Sequence, residues 1–123
     1  MEDLKAKLKF PLFVIDGLDV SLYNSIEALE QQLEGIDVAN NIYKSYDAEG
    51  RLLKLRAIGA KQGKFMVSVG YVHIEEAEDI PGHNKELSEA LRAHINAVGH
   101  SVDDNTELKE LVRICARRQM EGN

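Results

Sequence analysis

Between Asp16 and Glu49 the chain carries eight carboxylates, Asp16, Asp19, Glu27, Glu30, Glu34, Asp37, Asp47 and Glu49, against one cation, Lys44. The next stretch, 51–64, holds five cations and no acid, and a second acidic knot follows at Glu75, Glu76, Glu78 and Asp79. Segregated charge of this kind suits a surface that meets a cationic partner. Glu27, Glu30 and Glu34 fall at i, i+3 and i+7, so they share one helical stripe and repel each other instead of pairing with lysines. The plainer reading is a solvated helix face that keeps the protein soluble. Paired carboxylates also hydrolyse glycosides, but that chemistry needs an aromatic-lined cleft, and this chain has no Trp and 6% aromatic content.

The other reactive side chains are sparse. His73, His83, His94 and His100 show no spacing that puts two imidazoles on one helix face, so no metal site is expected. His94 follows Leu91 on an apolar helical face and reads as a structural histidine, while His73, near a strand end, is the best candidate for a functional imidazole. Cys115, the single cysteine, lies seven residues after Leu108 on the core-facing phase and reads as a buried thiol. No disulfide or cysteine-based zinc cage can form within the chain, which fits a reducing compartment, and the cytoplasm is the expected one. The 59–63 loop lacks the length and ending of a phosphate loop, so no cofactor is expected.

A net charge of −6 opposes nucleic-acid binding and attraction to anionic membranes. The start, MEDLKAKLKFPLFVI, holds only a short apolar run, so neither a signal peptide nor a membrane span is expected. At 123 residues and 44% hydrophobic content, the chain reads as a single domain, 1–123, able to bury a core.

These residues must be positioned by elements that the patterning outlines. Leu12 to Ile15 and Asp19 to Tyr23 read as a hairpin around Asp16-Gly17, with Leu18 lengthening the loop. Asn24 and Glu27 sit three apart like a capping box ahead of a helix over 25–34, stopped by Gly35. Strands are expected over 41–46, at Leu53, Leu55 and Ala57, and over 65–74 as the longest, with Asp47-Ala48-Glu49-Gly50 as a turn and a bulge near Gly70. Helices follow over 85–98, capped by Asn84, and 105–119, starting near Asp104. The expected order is β-β-α-β-β-β-α-α: an α+β fold with an antiparallel sheet of four to six strands, the two C-terminal helices on one face, and Lys54 and Arg56 left wet.

The stretches FVIDGLDVSLYNSIEALEQQLEGIDV and YDAEGRLLKL, within residues 12–56, resemble small acidic bacterial proteins, several of them similar to immunity proteins of polymorphic toxin and contact-dependent growth inhibition systems. The resemblance implies a non-catalytic cytoplasmic protein that binds a basic nuclease toxin and blocks its active site or its substrate's path. The expected contact residues are Asp16, Asp19, Glu27, Glu30, Glu34, Asp37, Glu75, Glu76, Glu78 and Asp79. The alternatives are a small ligand-binding module, an enzyme of unknown substrate, or a regulatory interaction protein that forms a homodimer through an exposed strand.

Overall fold

The computed structural model describes residues 4–33, 43–58, 61–62, 67–68 and 71–121. In chain order the elements are α1 (Leu4–Lys7), β1 (Leu12–Asp16), β2 (Asp19–Tyr23), α2 (Ile26–Gln32), β3 (Lys44–Tyr46), β4 (Leu52–Ile58), β5 (Lys61–Gln62), β6 (Val67–Ser68), β7 (Tyr71–Ala77), α3 (Asn84–Ala97) and α4 (Leu108–Glu121). Five strands form one sheet in the order β2-β1-β3-β4-β7, with every pairing antiparallel, while β5 pairs with β6 in a separate ladder. The chain is therefore α+β, with strands concentrated in the first two thirds and helices at the C-terminal end.

Why β1 lies inside the sheet follows from its composition. Leu12, Phe13, Val14 and Ile15 are all buried, and a strand covered on both faces needs an unbroken apolar run. Leu12 and Val14 pack with Leu8, Leu29, Leu53, Val72, Ile74 and Ala77 under α1 and α2. Phe13 and Ile15 point the other way, packing with Tyr46, Leu87, Leu91, Ile95, Leu111 and Cys115 under α3 and α4. Each fully buried leucine here contributes about 1.5–3 kcal/mol of transfer free energy. The apolar phase of each element predicts Leu29, Leu33, Leu53, Leu55, Val67, Val69, Leu91, Ile95, Leu111 and Cys115 as core residues; Leu29, Leu53, Leu91, Ile95, Leu111 and Cys115 are buried, and Leu33 and Leu55 are half-buried. Val67 and Val69 have side chains outside the described set.

The outcome departs from the sequence expectation in several places. An additional short helix, α1, precedes β1. The cap of α2 is Ser25, whose Oγ accepts the Ala28 N–H at 3.0 Å, so the helix starts one residue later than an Asn24 cap would set it. Position N3 is then Ala28, and Glu27 has no box to close. His83 precedes α3 without a side-chain cap bond, and Asn84 is already helical. Asp103 takes the Asn105 N–H at 3.0 Å and delays α4 to Leu108. Of the expected 65–74 strand, 67–68 pairs with β5 and 71–77 with β4. Gly70, where a bulge is expected, lies outside the described residues; an unexpected irregularity lies between β4 and β7, where Leu55 faces Ile74 but Lys54 faces Glu76. The extra residue, Glu75, flips the phase, so that Val72 and Ile74 are buried and the next inward residue is Ala77. Lys54 and Arg56 remain wet, with side chains 62% and 63% exposed. Among the described residues no helix is long and apolar enough to cross a membrane.

Candidate functional site

β1 and β2 are joined by Gly17 and Leu18 alone, with Asp16 paired directly to Asp19 across the end of the ladder. This loop is tighter than the turn chemistry predicts, because Gly17 adopts φ +61° and closes a two-residue hairpin. All four residues are exposed, and Leu18 keeps 59% of its surface. Two like charges opposite each other on neighbouring strands repel, and neither carboxylate has a partner among the described residues. The tip is nevertheless held. His94 on α3 donates its Nδ1–H to the Leu18 carbonyl at 2.8 Å, which sets the proton on Nδ1. That anchor confirms the structural role expected of His94.

The remaining acidic candidates do not gather at this tip. Glu27 is exposed near the start of α2, beyond the Tyr23 end of β2, roughly 13 Å along the strand from Asp19. Glu30 turns inward, its Oε2 accepting the Ile74 N–H at 2.8 Å and standing 3.1 Å from His73 Nδ1. It thereby covers part of the outer edge of β7, where Lys7 also donates to the Ala77 carbonyl at 3.4 Å. His73, the imidazole singled out by sequence, is Glu30's neighbour at this edge. Glu34 and Asp37 lie outside the described residues. Glu75 and Glu76 sit 3.7–3.9 Å from Lys54 and Arg56, close enough for loose, exposed ion pairs. Asp79 pairs with Lys7 at 2.7 Å, and the Lys7 hydrogen bond holds its carboxyl below the usual range.

A second polar group, not visible in the spacing, surrounds the β3–β4 turn. Asp47 is completely buried; its Oδ1 accepts from the Glu49 and Arg51 N–H groups, both at 2.9 Å, and its Oδ2 from Lys9 N–H at 3.0 Å and Arg51 Nη1 at 3.2 Å. Gly50, at φ +89°, presses against α3: a Cβ there would collide with the Asn84 backbone. Its carbonyl accepts the His83 N–H at 3.0 Å. Glu78 Oε1 accepts from Leu52 N–H at 2.8 Å and lies 2.7 Å from His83 Nδ1. The Leu52 N–H, and after it His83, hold the Glu78 carboxyl below its ordinary range. Tyr46 donates its hydroxyl to Glu86 at 3.1 Å, and burial, then the Glu86 carboxylate, push its pKa up to about 12.

These shifts decide what the cluster can do. A general acid or base works best with a pKa near the ambient pH, whereas Tyr46 is moved up and Glu78 down, each further into the form it already holds at neutrality. The group is a clamp that fastens the turn to α3. Only the Asp47 turn chemistry was readable locally; the Tyr46–Glu86 and Glu78–Leu52 bonds join residues 40 and 26 positions apart. Cys115 is buried, as its phase predicts. Among the described residues no three His, Cys, Asp or Glu side chains are grouped to hold a metal ion. Comparison with protein-family models, curated proteins and solved structures found no match for this chain.

Proposed function

We propose that this chain is a non-catalytic binding protein that neutralises a basic protein, a nuclease toxin domain of the kind immunity proteins oppose, by occluding its active site or its substrate's path. The observation that carries this reading is the β1–β2 tip. Asp16 and Asp19 face each other, exposed and without a cation beside them among the described residues, on either side of an exposed Leu18 whose carbonyl is pinned by His94. Their mutual repulsion is relieved by solvent or by a cationic partner, and an exposed apolar side chain on an anchored backbone between two carboxylates gives such a partner an apolar contact as well as a charge. Glu27 adds a further exposed acid at the other end of β2. The titratable groups of the clamp support the non-catalytic part of the reading, because their shifts oppose proton transfer at neutral pH.

The test uses the immobilised full chain to capture proteins from native extract, followed by nuclease assays on the captured partner with and without the chain. The expected partner is basic and loses activity in the complex. Asp16→Asn/Asp19→Asn and Leu18→Ser should each weaken capture. Capture of an acidic partner, or equal capture by the tip variants, would overturn the reading.

A further inference from the structure

A site of opposite charge lies elsewhere on the molecule, where the β3–β4 turn meets the first turns of α3 and α4. An open groove of about 770 Å³ is lined there by Lys9, Lys85 and Lys109, one from the segment before β1 and one from each helix. All three lysines are exposed, and among the described residues none of their ammonium groups has an ion-pair or hydrogen-bond partner. Lys7 and Lys54, by contrast, each have a carboxylate within 4.0 Å. Of the two acids in the groove, Glu49 is already paired to Arg51 at 2.6 Å, which leaves Glu107 to face three cations. In a chain of net charge −6 this is a local reversal of sign. The rest of the lining includes Phe10, 36% exposed, with Leu108 and Val112 from α4.

We infer that the groove binds a small organic anion, with an aromatic or other apolar body against Phe10, Leu108 and Val112 and a phosphate or carboxylate head among Lys9, Lys85 and Lys109. The volume falls within the range of small-molecule sites, and apolar walls with a few convergent polar groups are their usual construction. A bare inorganic ion would leave the apolar wall unused. A neutral apolar molecule would leave three ammonium groups uncompensated.

The test titrates the full chain by calorimetry with 1-naphthyl phosphate, 2-naphthoate, 2-naphthol and inorganic phosphate. Tighter binding of either naphthyl anion than of 2-naphthol supports the assignment and names the head group. Lys85→Gln/Lys109→Gln should weaken that binding at least about tenfold, the scale of losing charge-assisted hydrogen bonds. Ser88→Phe, which fills the groove from α3, should abolish it while the urea midpoint stays close to that of the parent chain. Equal affinity for 2-naphthol, binding indifferent to the lysines, inorganic phosphate bound as tightly as the naphthyl anions, or no binding would each overturn the inference.

Discussion

Two hairpin turns in this molecule use nearly the same residues to opposite ends. In Asp16-Gly17-Leu18-Asp19 both carboxylates are exposed and, among the described residues, unpartnered, and a Cβ on Gly17 would meet nothing within 4 Å. In Asp47-Ala48-Glu49-Gly50 the first carboxylate is buried under four donated hydrogen bonds, the second is paired to Arg51, and Gly50 is pressed against the backbone of Asn84. A buried carboxylate must be satisfied inside the protein, so the second turn spends its charge on holding the fold. The first retains its charge for something outside. Composition cannot distinguish the two; what differs is whether another element packs on the turn.

The largest consequence falls on Asp47. Asp47→Ala leaves three backbone N–H groups and the Arg51 guanidinium short of their acceptor, and should destabilise by about 3–5 kcal/mol in urea unfolding. A loss below about 1 kcal/mol would mean that the turn is not clamped. Next comes Gly50→Ala, where a left-handed backbone and a collision with Asn84 combine to cost roughly 2–5 kcal/mol. The equivalent change in the open turn, Gly17→Ala, meets only the backbone preference and should cost about 1 kcal/mol. Equal losses at the two glycines would erase the contrast.

Titration sharpens the same comparison. Folding raises the Tyr46 pKa from 10.0 to about 12, so its contribution is complete below pH 10 and is lost as pH rises towards 12. Glu78 is shifted the other way: folding lowers it from 4.5, so its contribution is present above pH 4.5 and is lost as pH falls through the folded-state value. Tyrosinate absorbance should show a group titrating near 12 that moves down in Glu86→Gln, because the carboxylate is a main cause of the shift after burial. Glu78→Gln should flatten the acid limb of stability and shift the alkaline one only slightly downwards, because the Glu78 carboxylate is the smallest of the causes that raise Tyr46. A tyrosine signal unmoved by Glu86→Gln would contradict the hydrogen bond that joins β3 to α3.

Much of the architecture was legible because it is encoded locally. The alternation of Leu53, Leu55 and Ala57 with Lys54 and Arg56 placed β4 and its wet side chains, and the 3.6-residue stripe of Leu87, Leu91 and Ile95 placed α3. Cap positions slipped by a residue or more because Asn24, Ser25, Asn84 and Asp104 are all competent caps or turn formers, and tertiary packing chose among them. The bulge at Glu75 needs the β4 register, which no single strand reveals. The acidic clusters were visible as clusters, but their employment was not. Glu30 caps an edge strand, Glu78 holds Leu52 and His83, and Glu75 and Glu76 lie beside Lys54, all through partners brought by folding. The lysine groove is not legible in the sequence for the same reason, its cations being 24 to 100 residues apart.

The smallest effect on stability belongs to the tip. Asp16→Asn/Asp19→Asn removes a repulsion and should change unfolding free energy by no more than about 0.5 kcal/mol, if anything upwards. The same variant should slow association with the captured basic partner by about tenfold or more at low salt, and the gap should close as ionic strength rises from about 0.01 to 0.5 M. The association rate of this double variant against the parent chain, measured across that range, is the most direct test. A slower rate at low salt that converges at high salt is the result predicted; an unchanged rate at every ionic strength would contradict the assignment of the tip as the contact surface.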